Sequence, residues 1–130
     1  MGTKITGRIA HHEILMGRDK DAPLSPTQKN NLDRLVVALN IIRQAYGKPM
    51  VVSSGYRPAA YNLKAGGAKK SAHLTCEACD FKDPDGQFAA WCENNLSLLV
   101  SAGLYMENSA YTPGWVHLQT RPTKNRIFIP

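Results

Sequence analysis

The apolar positions of this chain change period from segment to segment, and each period predicts an element. Leu32, Leu35, Val36, Leu39 and Ile42 recur at helical spacing. Ahead of them Ser25-Pro26-Thr27-Gln28 reads as a helix start, with Ser as N-cap, Pro at the first helical position and Gln completing a capping box. Gly47 and Pro49 supply the stop, so an amphipathic helix of about five turns should begin near Pro26. Residues 50–53 form a short β-prone run that leads into Gly55-Tyr56-Arg57-Pro58, a loop expected to expose Tyr56 and Arg57. Residues 59–72 show little periodicity and predict a long irregular segment, a place where function concentrates. Residues 76–82 alternate as a strand, with Ala78 and Asp80 on one face and Cys79 and Phe81 on the other. Asp83-Pro84-Asp85-Gly86 turns the chain, and Phe88, Trp91, Cys92, Leu96 and Leu99 predict a second helix closed by Gly103. Residues 104–107 and 115–120 then read as a hairpin.

The sum is an α+β fold: a small antiparallel sheet with the helices packed on one face. At 130 residues the chain suits a single domain over residues 1–130, and 43% hydrophobic with 20% charged residues is the balance of a folded chain rather than a disordered one. A monomer is expected. The net charge of +6 favours anionic partners, but Lys69, Lys70, Arg121, Lys124 and Arg126 are scattered rather than striped, which argues against nucleic acid. The N-terminus lacks a long apolar stretch and no run of about 18 apolar residues occurs. Neither a signal peptide nor a membrane span is therefore expected, and the chain should be cytoplasmic when made. Three cysteines, Cys76, Cys79 and Cys92, are too few for a disulfide framework and suit a reducing compartment.

The candidate chemistry lies on the site face of the sheet. Trp115, His117 and Gln119 alternate to one side of their strand, and Val116 and Leu118 to the core side. His73 stands seven residues before Asp80, so the two converge only if His73 sits in the loop ahead of the strand. Two imidazoles and a carboxylate suit Zn²⁺ with a position left open for water. Spacing alone leaves other readings open: His73 as a hydrogen-bonded structural residue, Asp80 as a turn cap, Arg57 as a loop staple.

The ordered pieces Ser53-Ser54-Gly55-Tyr56-Arg57-Pro58, Asn62, Gly66-Gly67-Ala68, Ser71-Ala72-His73, Ala78-Cys79-Asp80 and Trp115-Val116-His117 resemble the zinc D-alanyl-D-alanine carboxypeptidase family over residues 32–120. That family includes VanY-like carboxypeptidases and phage L-alanyl-D-glutamate endolysins. The resemblance implies the hedgehog/DD-peptidase fold, with His73, Asp80 and His117 as zinc ligands and Arg57 on a substrate carboxylate or carbonyl oxygen. It points to hydrolysis of peptide bonds in bacterial peptidoglycan, with Tyr56, Ser71, Trp115 and Gln119 as candidate substrate contacts; Ser71 alternatively orients His73. A phage-encoded enzyme released to the wall by lysis machinery, or carried in a virion, fits the missing signal.

The pattern departs from the family in two places. Many relatives carry the general base three positions before the last zinc histidine, where this chain has Gly114. Glu107 is the substitute: paired opposite Trp115 across the hairpin, it would share the face of His117. The other reading of Gly114 is a wall-binding or phage structural module that keeps the metal and has lost turnover. Cys76 stands where relatives usually have Gly, creating Cys76-Glu77-Ala78-Cys79; on a strand the two sulfurs would leave on opposite faces, which favours packing over a redox or structural-zinc pair.

Overall fold

The computed structural model describes residues 7–64, 66 and 69–130, so Gly67 and Ala68 of the glycine-rich motif lie outside the described residues. The long helix, α2 (Pro26–Tyr46), begins and ends where its punctuation dictates. Gln28 N–H donates to Ser25 Oγ at 3.1 Å and Ser25 N–H to Gln28 Oε1 at 2.8 Å, and Gly47, at φ 71°, closes the helix with its N–H on Arg43 O. Its inner face buries Leu32, Leu35, Val36, Leu39 and Ile42, each worth about 1.5–3 kcal/mol when fully withdrawn from water.

A short helix absent from the sequence reading, α1 (His11–Leu15), precedes it. Asn40 holds this segment to α2, accepting from Ile9 N–H at 2.8 Å and donating to Ile9 O at 3.0 Å, so that Ile9 and Ile14 enter the core. The strands are β1 (Val52–Ser54), β2 (Ala78–Lys82), β3 (Tyr105–Glu107), β4 (Trp115–Gln119) and β5 (Ile127–Phe128), in the sheet order β1-β2-β4-β3-β5. All neighbours are antiparallel except β3 and β5, which run parallel; this two-residue strand qualifies the purely antiparallel sheet expected from sequence. One face carries Cys79, Phe81, Met106, Val116 and Leu118 into the helical core. The other carries Asp80 and His117, paired directly across β2 and β4.

Two further expectations are corrected. The irregular segment 59–72 contains a helix, α3 (Ala59–Lys64), started by Asn62 N–H on Pro58 O at 2.9 Å. The single helix expected through Phe88 and Leu99 is two, α4 (Gln87–Asn94) and α5 (Leu96–Ala102). Asn95 breaks it at φ −127°, ψ 40°, its side chain donating to Trp91 O at 2.8 Å. The turn before α4 behaves as read, and Asp83 caps that helix, accepting from Phe88 N–H and Ala89 N–H at 2.9 Å each. Among the described residues no helix is long and apolar enough to cross a membrane.

Candidate metal centre

His73 lies in the turn before β2, as its convergence with Asp80 requires. Its Nε2 stands 3.2 Å from Asp80 Oδ2, and His117 Nδ1 stands 2.8 Å from Asp80 Oδ1. All three residues are buried, and one donor atom from each falls within 4.8 Å of the others.

The remaining ring nitrogens decide what these contacts mean. His73 Nδ1–H donates to Gly55 O at 2.8 Å, which leaves Nε2 as a bare lone pair. The Gln119 amide is oriented by Arg121 O, an acceptor that takes its Nε2–H at 2.8 Å. Gln119 Oε1 therefore faces His117 and accepts its Nε2–H at 2.7 Å, leaving Nδ1 bare. Two lone pairs and a carboxylate then converge with no proton of their own to share. Such a set needs a cation between its members, and two imidazoles with one carboxylate is a donor set that zinc takes while keeping a coordination position for water. The residues fit the metal.

Without it, protons fill the role. Burial alone would raise Asp80, but the hydrogen bonds from His117 and His73 bring it down to about 2. Burial likewise opposes charge on His117, yet the hydrogen bond and charge of Asp80 raise it above its ordinary 6.5.

Around the centre, Arg57 Nε donates to Ser54 Oγ at 3.0 Å and its Nη2 reaches Asp80 Oδ2 at 3.4 Å. Those contacts use two of the five guanidinium donors. Burial raises Glu107 above its ordinary 4.5, with His117 and His73 pulling down and Asp80 pushing up. The observed register joins Tyr105 to Gln119 and Met106 to Leu118, so continued by one residue it sets Glu107 opposite His117 rather than Trp115. The difference of two residues preserves the face.

Tyr56 is not on the exposed loop surface. It is 3% exposed, its OH donates to Ala22 O at 3.0 Å and its N–H to Ile14 O at 2.8 Å, so the exposure expected of it is corrected to burial in the core. Gln119 has its amide engaged at both ends by His117 and Arg121, contacts that orient the His117 ring. Ser71 Oγ accepts from His73 N–H at 3.1 Å, the orienting alternative. Trp115 opens β4 half-buried, opposite Lys82.

Cys76 is not on the strand, which starts at Ala78; it sits at φ 60°, in the left-handed region that favours glycine. Cys76 and Cys79 nonetheless share one apolar core, and burial pushes Cys76 up to about 12 and Cys79 well above the ordinary thiol range. Burial disfavours the thiolate at both positions, in keeping with packing.

The sequence reading missed Phe128, whose ring meets His117 edge-on at 5.9 Å, and Gly55, whose carbonyl fixes the His73 tautomer. Gly55 belongs to the Ser53–Pro58 motif, whereas no local signal marks Phe128. A Cβ at Gly55 would overlap the Ile14 backbone. Gly55→Ala is expected to cost about 2–3 kcal/mol, on the order of 10 °C in Tm, and to weaken metal binding with it. Thermal melts with and without zinc measure both effects; a melt matching wild type would contradict the close approach.

A family model described as peptidase M15 matches residues 12–119. The searches of curated proteins and of solved structures found no match.

Proposed function

Because the chain belongs to the peptidase M15 family, whose members are zinc enzymes, we propose that it hydrolyses peptide bonds of bacterial peptidoglycan. The bond lies in the stem peptide or cross-bridge, cut as a carboxypeptidase or an endopeptidase. The observation that carries this reading is the convergence of His73, Asp80 and His117 with one bare ring nitrogen on each histidine.

Bound zinc supplies Lewis acidity, activating water and polarising an amide carbonyl. The chain's own residues do the rest. His73 Nε2, an Asp80 oxygen and His117 Nδ1 would hold the ion, with Gly55 O and Gln119 Oε1 fixing the two tautomers. Glu107, on the His117 face, takes a proton from the attacking water and returns it to the departing amine. Arg57, tethered by Ser54, binds the carbonyl oxygen as negative charge gathers there, or a terminal carboxylate. Trp115, at the mouth of the site strand, packs against the substrate peptide. The charge of +6 favours approach to an anionic wall, while Arg126, stacked on Tyr105 at 4.0 Å and bonded to Leu104 O, is committed within the fold rather than to a nucleic-acid patch.

The test is zinc content of the purified chain together with digestion of purified peptidoglycan, followed by release of new amino groups and by the masses of the products. About one zinc per chain is expected, with cleavage abolished by a chelator and restored by added zinc. Zinc without cleavage would favour the wall-binding module that Gly114 leaves open. No zinc would overturn the reading.

A further inference from the structure

His73 rides on residues 70–77, a segment without helix or strand, yet its imidazole must meet one held on β4. Besides Asp80, which contacts both rings, a connection between them runs through Arg121, a residue of the basic tail. Its Nη1 donates to Lys70 O at 2.5 Å, its Nη2 to Thr75 Oγ1 at 2.8 Å and its Nε to Glu77 Oε1 at 3.1 Å. Thr75 Oγ1 in turn donates to Glu77 Oε1 at 2.5 Å, and Thr120 N–H to Glu77 O at 2.9 Å, closing the network. The Arg121 carbonyl meanwhile accepts from Gln119, whose other end accepts from His117. One residue thus braces the His73 segment with its side chain and the His117 ring with its backbone.

We propose that Arg121 is a positioning residue of the metal centre, setting the two imidazoles relative to each other before the metal arrives. The inference rests on the zinc-peptidase reading and concerns how its site is preorganised. The guanidinium fans three N–H groups in one plane onto three acceptors of the segment, Lys70 O, Thr75 Oγ1 and Glu77 Oε1, which a lysine's single ammonium cannot reproduce. The side chain is 33% exposed, so its ion pair with Glu77 is screened and adds little to stability. Its contribution is geometric. Losing it therefore disturbs the metal more than the fold.

The experiment compares wild type, Arg121→Met, Arg121→Lys and Gln119→Leu as full chains. The readouts are the Tm of metal-free protein, zinc affinity by chelator competition, the visible spectrum of the cobalt-substituted form, and kcat and KM. Each variant is expected to bind zinc about 10–100-fold more weakly. The cobalt bands should shift in position or intensity, kcat should fall more than KM rises, and the metal-free Tm should stay within a few degrees. Unchanged zinc affinity and cobalt spectrum in both Arg121 variants would overturn the proposal. So would full rescue by Arg121→Lys, which would assign a role to charge alone, or a fall in metal-free Tm of more than about 10 °C, which would mark a structural staple. Wild type that binds no zinc would instead remove the peptidase reading, and this inference with it.

Discussion

His117→Ala is expected to give a folded protein that keeps no zinc through purification and cleaves peptidoglycan no faster than chelated wild type. Loss of an outer partner costs roughly 10–100-fold in affinity, and loss of one of three protein ligands costs more. The fold survives because His117 faces away from the core that Val116 and Leu118 enter, and because Asp80 keeps its contacts to His73 and Arg57. The same substitution should erase a pH dependence. In metal-free wild type His117 is raised above 6.5, so its stabilisation is complete below that value and is lost as pH rises through the folded value. Zinc needs the lone pair, so its stabilisation grows as pH rises through the same range. Asp80, near 2, is ionised throughout and adds no slope. Chelated wild type should therefore melt higher at about pH 6 than at about pH 8.5, with the gain from zinc larger at the upper value. His117→Ala should lose both trends, as melts at the two pH values with chelator or zinc will read. Identical profiles for chelated wild type and variant would contradict the Asp80–His117 pairing.

The parts of this fold that sequence discloses are those whose signals are local. Ser25, Gln28 and Gly47 bracket α2 because capping satisfies helix ends with neighbouring residues. The face assignment of Asp80, His117 and Glu107 follows from the two-residue period, which survives an even shift of register. What escapes is decided by distant partners. The apolar spacing from Phe88 to Leu99 runs unbroken through Asn95, and only that residue's tendency to bond nearby backbone hints at the break. Tyr56 looks exposed from its loop, but the segment around α1 covers it, with Ile14 O and Ala22 O taking its hydrogen bonds. Residues 127–128 have no strand signature of their own. They pair because Met106 and Glu107 offer an open edge, and so Phe128 arrives beside His117 unannounced. Arg121 looked like one more scattered charge, since nothing in a sequence shows three acceptors lying 44 to 51 residues earlier.

Glu107→Gln is expected to leave zinc content unchanged while lowering kcat by about 10²–10⁴-fold, the range for removing a general base. Two observations converge on this carboxylate. The position at which the family resemblance expects a base is Gly114, and its φ of +84° belongs to the left-handed region where a side chain is strained. An acid or histidine is therefore absent there and also disfavoured by the backbone. Glu107, half-buried and set opposite His117 when the β3–β4 register is continued by one residue, is held above its ordinary 4.5 by burial first and then by the charge of Asp80, against the pull of His117 and His73, a direction that favours a proton acceptor. Because ionised Glu107 is disfavoured by that burial, the neutral glutamine should not destabilise the metal-free protein. A fall in kcat without a fall in Tm or zinc would then separate proton transfer from structure. If kcat changed by less than about tenfold while zinc stayed bound, Glu107 would be a bystander, and proton transfer would fall to a group outside the His117 face.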